Sequence, residues 1–259
     1  MTARPRILYV MCPGHSGSTL LDLLLSRHSR IGTVGELKTL STKPEVRCLC
    51  GVTPFSSCGF WREVEARMKA TSGLAFADLD LLSADPARFT AHNAAVYAAC
   101  AEVTGRSVLV DSSKSRPRLE GLLASSAFDV TPIHLVRDPR GVVYSNVAKG
   151  RSLVRYAGKY RRGQRATRRL LAGRPHVVVR YEDLASDPER ELERVMRELG
   201  FELEPQQLDW RGGERHSVGG NLMRFETDTE IQVDESWRGG LSRWQQWLVR
   251  ALTLGAQGH

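Results

Sequence analysis

A turn of small residues between two apolar runs constrains the fold of this chain more than any other feature. The first run is Ile7–Met11, the turn is 13–19 (PGHSGST), and five leucines follow within residues 20–25. A strand, a glycine-containing turn and a helix in this order form a phosphate cradle. Backbone N–H groups point into the turn, and the helix N-terminus adds partial positive charge. The pattern therefore predicts an α/β protein with an anion site near residue 15.

The turn lacks the lysine that a nucleotide triphosphatase uses for the terminal phosphates. Ser18 stands in the place of that lysine, between Gly17 and Thr19. A phosphate cradle without the lysine indicates a different nucleotide and a different transferred group. The residues that we predict to bind phosphate in this turn are Gly14, His15, Ser16, Gly17, Ser18 and Thr19.

A second phosphate motif lies far downstream. Residues 131–136 (TPIHLV) have the pattern of a strand, and Arg137 follows them at the start of the segment RDPRG. Open α/β sheets bind ligands where strands end, which is where Arg137 falls. Ser145 lies two turns along the helical run that comes next. A guanidinium group and a hydroxyl suit a second phosphate, distinct from the first.

With these two motifs the chain resembles the sulfotransferases that use 3′-phosphoadenosine-5′-phosphosulfate (PAPS). The resemblance runs in order from about residue 6 to about residue 247. It implies that Pro13–Leu21 binds the 5′-phosphosulfate, and that Arg137 and Ser145 bind the 3′-phosphate. A bacterial type of sulfotransferase, with a site similar to that of the tyrosylprotein sulfotransferases, fits these motifs best.

The tyrosylprotein branch implies five further site residues. Glu36, in the segment GEL, falls where that branch has a catalytic glutamate, and Lys114 falls where it has a lysine near the sulfuryl group. Lys149 matches another cation for the 3′-phosphate. Tyr181, in the segment RYEDL, matches a residue near the nucleotide, and Ser242, in LSRW, matches one near the donor.

Sulfuryl transfer to a hydroxyl needs in-line geometry, a base for the acceptor proton, and cations or donors for the leaving oxygen. We predict that Glu36 is the base and that Lys114 and Ser242 stabilise the leaving group. Asp111 is the rival base, although we favour for it the role of a helix cap or of a partner that positions Lys114. His15 stands where the resemblance leads us to expect Lys or Arg. We expect His15 to bind the donor phosphate, neutral or protonated, with a role as general base as the alternative.

Strands and helices alternate along the chain, which predicts a P-loop-type parallel sheet flanked by helices on both faces. The length fits a single domain, 1–259. Strands are predicted at 7–12, 31–34, 107–111, 131–136 and 176–180. Helices are predicted at 18–28, 61–70, 86–104, 115–125, 140–148, 152–172, 188–199 and 241–254. The irregular region 205–240, which includes 216–221 and Arg224, is predicted to form a lid over the acceptor or the nucleotide.

The formal charge of +8 favours polyanionic ligands. Lys149–Arg174 contains ten Lys or Arg residues and no acidic residue, which is typical of a solvated basic helix. An anionic or membrane-surface acceptor is the alternative. Only Tyr156 and Tyr160 are aromatic in this segment, so we predict no nucleic-acid partner. No run of about 18 apolar residues or signal region is present, so we predict a cytoplasmic protein without a transmembrane segment.

Three cysteines, Cys48, Cys50 and Cys58, lie in a loop predicted at 41–60. They are one short of the usual four ligands of structural zinc, so we predict no metal, with a zinc site as the alternative. The resemblance to bacterial sulfotransferases, in which similar cysteine-containing loops recur, implies a loop-shaping role. Cys12 and Cys100 are expected to be small buried hydrophobic residues.

The sequence thus predicts an enzyme that transfers a sulfuryl group from PAPS to a hydroxyl (or amine), leaving adenosine 3′,5′-bisphosphate (PAP), with no metal required. The acceptor would be a small molecule, glycan, lipid or peptide. A P-loop kinase that uses ATP is the first alternative, and the missing lysine argues against it. A catalytically silent protein that binds nucleotides or nucleic acid is the second.

Overall fold

The structure is a computed structural model, and it describes residues 4–213, 215–221, 225 and 230–256. Five strands form one sheet in the order β2-β3-β1-β4-β5, and helices flank it. The predicted α/β class with a parallel sheet is confirmed. The strands are β1 (Arg6–Met11), β2 (Ile31–Gly35), β3 (Val108–Asp111), β4 (Asp129–Val136) and β5 (Val177–Arg180).

Eleven α-helices are present in the described part of the chain. They are α1 (Ser18–Leu25), α2 (Thr39–Thr42), α3 (Gly59–Ser72), α4 (Pro86–Thr104), α5 (Arg116–Ala124), α6 (Pro139–Val147), α7 (Leu153–Leu171), α8 (Tyr181–Ser186), α9 (Pro188–Leu199), α10 (Trp237–Gly240) and α11 (Arg243–Thr253). Short 3₁₀ helices occur at Phe55–Ser57, Phe76–Asp78 and Pro205–Leu208. Across the described ranges, none of these helices has both the length and the apolar character of a membrane span.

The chain divides into two compact units, and the first contains the described parts of 1–10, 19–131 and 203–227. In this unit β3 pairs in parallel with β1, from Arg6 opposite Val108 onward, and with β2, from Ile31 opposite Val108 onward. The strands are almost entirely buried, as expected for parallel strands covered on both faces. Asp85 caps α4, because its side chain accepts a hydrogen bond from the N–H of Ala87.

The second unit contains the described parts of 11–18, 132–202 and 228–259. Here β4 pairs in parallel with β5, with Ile133 opposite Val177. Helices α6, α7 and α11 pack on one another around Val143, Ala157 and Val249. The alternating burial along β5 shows that one face of this strand is exposed.

The sequence missed the three shortest α-helices, α2, α8 and α10, because four to six residues carry too little periodicity to indicate a helix. It also extended α1 to residue 28, whereas the helix ends at Leu25. The hydroxyl of Ser26 there bonds back to the carbonyl of Leu23, which competes with a further helical turn. Part of the predicted lid, including Arg224, lies outside the described residues.

Candidate active site

The turn after β1 contains two residues in the left-handed region, His15 (φ 66°) and Gly17 (φ 87°). Left-handed residues at alternate positions turn successive N–H groups to one side, which forms an anion-binding concavity. Gly17 also lies so close to the ring of Tyr181 that a Cβ atom at position 17 would overlap the ring. Both the backbone angle and the ring therefore require glycine. The geometry fits the phosphate cradle that the sequence predicts.

The hydroxyl of Ser16 faces inward in this turn. The residue is 1% exposed, and the hydroxyl has no hydrogen-bond partner among the residues that the structure describes. Leaving a buried polar group unsatisfied costs about 1–3 kcal/mol. The hydroxyl is therefore placed to donate a hydrogen bond to an oxygen of a ligand.

The remaining residues of the turn differ in their surroundings. Gly14 faces open space, since a Cβ atom there would have no neighbour within 4 Å. Ser18 is buried at the start of α1. Thr19 belongs to the first unit, where its Oγ1 accepts a hydrogen bond from the N–H of Asn221 at 3.0 Å.

Arg137 follows β4, and its nearly buried guanidinium group reaches the turn. Its Nη1 donates to the carbonyl oxygen of His15 at 2.8 Å. Its Nη2 donates to the carbonyl oxygen of Asp234 at 3.0 Å and to Oδ2 of the same residue at 2.8 Å. The guanidinium carbon lies 4.2 Å from the centre of the Tyr181 ring. The structure thus brings together Arg137, Tyr181 and the turn. The carboxylate of Asp234 forms an ion pair with Arg137.

The carboxylate of Asp234 is ionised at neutral pH. Burial raises its pKa, but the hydrogen bonds from Ser236 and Arg137 outweigh this effect and leave the pKa below its ordinary value. Tyr181 supports the same residue, because its hydroxyl accepts a hydrogen bond from the N–H of Asp234 at 3.0 Å. The negatively charged carboxylate of Asp234 therefore contacts Arg137, the residue for which the sequence predicts a phosphate.

Ser145 and Lys149 both lie in the second unit. The hydroxyl of Ser145 donates to the carbonyl oxygen of Gly141, one turn earlier in α6, at 2.9 Å. Lys149 Nζ lies 3.3 Å from Nε2 of His15. Lys149 thus provides a positive charge beside His15.

Ser242 is the N-cap of α11. Its Oγ accepts a hydrogen bond from the N–H of Gln245 at 3.4 Å, and its own N–H donates to Oε1 of Gln245 at 2.9 Å. This reciprocal pair is a capping box. The contacts explain the Ser-x-x-Gln pattern structurally, and the role in stabilising the leaving group stays a prediction.

Glu36 and Lys114 form an ion pair in the first unit. Lys114 Nζ lies 2.7 Å from Oε1 of Glu36, and the two side chains are only 16% and 18% exposed. Lys114 has φ 54°, a left-handed conformation that is uncommon outside glycine. Lys38 Nζ lies 3.8 Å from Oε2 of Glu36, and burial lowers the pKa of Lys38. The predicted base and the predicted lysine are therefore direct partners.

The segment around Gly220 also contacts Glu36. The N–H of Gly220 donates to Oε1 of Glu36 at 3.1 Å, and the N–H of Glu36 donates to the carbonyl of Val218 at 2.6 Å. A Cβ atom at Gly219 would lie 2.7 Å from Cβ of Glu36. This part of the predicted lid therefore contacts the predicted base.

Asp111 is in a different environment from the one predicted. Its side chain is fully buried, and its oxygens accept hydrogen bonds from the Arg118 guanidinium, from the Tyr97 hydroxyl at 2.5 Å and from the Ser113 N–H at 2.8 Å. The expectation that Asp111 positions Lys114 is wrong, because Lys114 pairs with Glu36. A carboxylate enclosed in this way holds β3 to α4 and α5 and is unsuited to accept a proton from a substrate.

Three cysteines and one histidine converge in the first unit. Cys58 Sγ lies 3.5 Å from Cys50 Sγ and 3.2 Å from Nδ1 of His216, and Cys48 Sγ lies 3.7 Å from the same nitrogen. The four ligand atoms lie within 4.8 Å of one another. The sequence analysis found the three thiols but missed His216 as their neighbour. It follows Cys58 by 158 residues, and no local pattern marks it.

A cavity of about 250 Å³ lies against the turn in the second unit. Pro13, Gly14 and His15 line one side of it, and Arg151 and Lys159 line another. The basic segment that the sequence singled out therefore contributes cations to a cavity next to the turn.

The fold and these residues define an α/β protein of the P-loop type, in which a strand leads through a glycine-containing turn into a helix. The family model described as "Sulfotransferase family" matches residues 8–205, and the chain belongs to that family. The resemblance found in the two phosphate motifs is thus confirmed at the level of the family.

One curated relative and two solved structures are similar to this chain. Human carbohydrate sulfotransferase 6 is 28% identical over 168 residues, which are 52% of this chain and 42% of that protein. The chain thus spans less than half the length of this curated relative. The sulfotransferase domain of the Synechococcus PCC 7002 olefin synthase has a TM-score of 0.58 at 20% identity, covering 97% of this chain and 96% of that one. A sulfotransferase of Mycobacterium tuberculosis H37Rv has a TM-score of 0.58 at 14% identity, covering 98% and 77%. These two structures share the fold.

Proposed function

We propose that the protein transfers the sulfuryl group of PAPS to a hydroxyl (or amine) of an acceptor and releases PAP. The observation that carries this proposal is the turn after β1. It combines two left-handed residues, a buried Ser16 hydroxyl without a partner in the described part of the chain, and a serine in place of the triphosphatase lysine. Family membership supports the sulfuryl class.

The residues present suit the two phosphates of the donor. The N–H groups of the turn and the Ser16 hydroxyl would surround the 5′-phosphosulfate, with Thr19 and the N-terminus of α1 behind them. Arg137 offers a planar fork of donors for the 3′-phosphate, and Lys149 adds a point charge. Ser145 would turn its hydroxyl from the Gly141 carbonyl to the same phosphate. Tyr181 would position the nucleotide through its contacts with Gly17 and Arg137.

In the proposed step the acceptor oxygen attacks the sulfur in line with the leaving oxygen. The new oxygen–sulfur bond forms while the bond from sulfur to the bridging phosphate oxygen breaks, and its electron pair stays on PAP. Glu36 takes the proton of the acceptor, while Lys114 and Ser242 stabilise the charge on the leaving oxygen. His15 donates to the phosphosulfate. No metal takes part in this step.

In this proposal the Glu36–Lys114 ion pair links proton transfer from the acceptor to the departure of PAP. While Lys114 stays on Oε1, its ammonium group occupies the carboxylate oxygen that would take the proton. When the ammonium group moves toward the charge that develops on the leaving oxygen, Glu36 keeps the Gly220 N–H, and its Oε1 becomes accessible to the proton of the acceptor. Proton transfer and departure of PAP are then coupled through one lysine. Asp111 is excluded from this role because Arg118 and Tyr97 bind it in the core.

For the acceptor we propose a hydroxyl of a glycan or of a small molecule. The curated relative is named for carbohydrate, and one fold relative belongs to an olefin synthase. A lipid or peptide hydroxyl would serve the same chemistry. The cations of Arg151 and Lys159 beside the turn favour an acceptor that itself carries negative charge.

Nucleotide binding tests the donor assignment. The thermal midpoint should rise much more with PAP than with AMP or ATP, because only PAP supplies both phosphates. The variant Arg137→Ala should remove the preference for PAP over AMP. Equal shifts with PAP and AMP in the wild type would refute the 3′-phosphate site, and a preference for ATP with magnesium would favour a kinase. A preference for an oligonucleotide would favour a silent binding protein.

Transfer itself is tested with radiolabelled PAPS. Label should move from PAPS to glycans or small-molecule hydroxyls in an acceptor panel, and it should do so in the presence of a chelator of magnesium. Absence of transfer to any acceptor, together with tight PAP binding, would refute catalysis and leave a nucleotide-binding protein.

A further inference from the structure

We infer that Cys48, Cys50, Cys58 and His216 form a structural zinc site. The inference concerns a metal outside the transfer step. It begins with the cluster itself, in which three thiols and Nδ1 of the imidazole point at one another from three separate stretches of the first unit.

The distances agree with tetrahedral zinc. Zinc binds thiolate sulfur at about 2.3 Å and imidazole nitrogen at about 2.0 Å, which places the ligand atoms of a tetrahedron about 3.5–3.8 Å apart. Three of the observed separations are 3.5 Å between Cys50 and Cys58, 3.7 Å between Cys48 and His216, and 3.2 Å between Cys58 and His216, and all four ligand atoms lie within 4.8 Å of one another. A set of three sulfurs and one nitrogen favours Zn²⁺ over Mg²⁺ or Ca²⁺, which prefer oxygen.

The surrounding chain is built to hold these four side chains. The carbonyl of Cys48 accepts a hydrogen bond from the N–H of Gly51 at 3.0 Å, which closes a tight turn around Cys50. Cys58 occupies the N-cap position of α3. The ring of Phe60 stacks on the imidazole of His216, with 4.9 Å between the ring centres and 7° between the planes. Each ligand is therefore fixed by backbone or aromatic packing.

The site joins the cysteine loop to the segment that touches Glu36. Val218 bridges both Gly35 and Cys48, and the N–H of Leu49 donates to the carbonyl of Ser217 at 2.9 Å. Two residues beyond Val218, the N–H of Gly220 reaches the carboxylate of Glu36. Zinc on His216 would fix the start of this segment, so it would position Gly220 and, through it, the base. This last step rests on the proposed function, whereas the metal site does not.

Metal content tests the site directly. The full-length chain, purified with a reductant and without chelators, should contain about one zinc per molecule by elemental analysis. Exchange with Co²⁺ should give the visible absorption of tetrahedral cobalt and thiolate-to-cobalt charge transfer. A zinc-free wild-type chain that gives no such spectrum would overturn the inference. A Cys50–Cys58 disulfide in that chain would identify the pair as a redox couple instead.

Variants separate the site from general folding. Cys50→Ser and His216→Ala should lose zinc, and His216→Cys should keep it, because four thiolates also form a structural set. Cys100→Ala, at a buried cysteine outside the cluster, should keep one zinc. Loss of zinc from Cys100→Ala as well would indicate unspecific binding and refute the site.

A second readout separates the metal from the transfer reaction. Chelation should lower the thermal midpoint of the wild type and leave the midpoint of His216→Ala unchanged. If PAPS transfer is absent from every preparation, the proposed function fails while the zinc content still decides this site. If zinc binds but its removal leaves the transfer rate unaltered, the link from His216 to Glu36 is refuted.

Discussion

The carboxylate of Asp234 lies on the guanidinium group of Arg137, with 2.8 Å between Oδ2 and Nη2. Arg137 is the residue that we assign to the 3′-phosphate of the donor. Asp234 and that phosphate would therefore compete for the same N–H donors, and both carry negative charge. Binding of PAP requires that Asp234 withdraw from Arg137 or share it against electrostatic repulsion.

We expect Asp234→Asn to bind PAP more tightly than the wild type. The amide cannot hold the guanidinium as an ion does, and it does not repel the phosphate. A half-exposed ion pair contributes up to about 1 kcal/mol, so the dissociation constant should fall about two- to fivefold. Isothermal titration calorimetry measures this. Glu235→Gln is the matched control, since it removes the same charge from a residue that pairs with Arg238. Weaker binding by Asp234→Asn would mean that Asp234 orders the site.

Gly17→Ala tests the geometry of the turn. A Cβ atom would overlap the ring of Tyr181, and alanine would be strained at φ 87°. Strain of this kind costs about 1–3 kcal/mol, so urea unfolding should show a loss of that size. Gly14→Ala should unfold close to the wild type, because its Cβ atom would meet open space. Equal stability of the two variants would contradict the close contact with Tyr181.

The buried carboxyl of Asp22 should make stability depend on pH. Burial raises its pKa from the ordinary 3.8 to about 6, although hydrogen bonds from Thr33 and Ser112 oppose the shift. Between these values the folded chain binds more protons at this group than the unfolded chain. The contribution of Asp22 to stability therefore falls as pH rises from about 4 to about 6, and it stays constant above that.

Asp22→Asn should consequently be more stable than the wild type at pH 8, and the difference should vanish near pH 4. A shift of about two pKa units corresponds to about 3 kcal/mol, which is the upper limit of the difference. Urea unfolding of both proteins across this range provides the measurement. A difference in stability that is the same at every pH would show that it arises from the hydrogen bonds of Asp22 and not from its ionisation.

The sequence predicted the parts of the fold that depend on local pattern. The bounds of α4 and α9 were predicted to the residue, since an apolar stripe is flanked by Asp-Pro at the start and by glycine at the end of each. The two phosphate motifs were likewise local and identified the family. The pairing of Lys114 with Glu36 joins residues 78 apart and was predicted only as a shared site.

Contacts between distant segments could not be predicted from the sequence. Asp234 on Arg137 and His216 among the cysteines both come from the irregular region near the C-terminus, where no periodicity fixes a side chain in space. The misplaced role of Asp111 has a different cause. A carboxylate at the end of a strand is equally typical of a ligand site and of a core ion pair, and only the burial of Arg118 separates them.

The main effect of Asp111→Asn should therefore be a loss of folding stability. The change leaves the fully buried charge of Arg118 without its counter-ion, which typically costs about 3–5 kcal/mol. Urea unfolding should show this loss. PAP binding by the molecules that remain folded should stay near the wild-type value. An Asp111→Asn protein of normal stability that lacks turnover would return Asp111 to the position of base.

Glu36→Gln separates chemistry from binding. Glutamine keeps the size of the side chain and can still accept hydrogen bonds from Lys114 and Gly220, but it cannot take a proton from the acceptor. We expect kcat to fall about 10²- to 10⁴-fold, the usual contribution of a general base. PAP affinity should change little, because Glu36 contacts no phosphate in the proposed arrangement. Glu45→Gln, at an exposed glutamate of the same unit, is the matched control and should turn over normally. Near-normal turnover by Glu36→Gln would remove the base from the mechanism, whereas loss of PAP binding would make Glu36 a structural partner of Lys114.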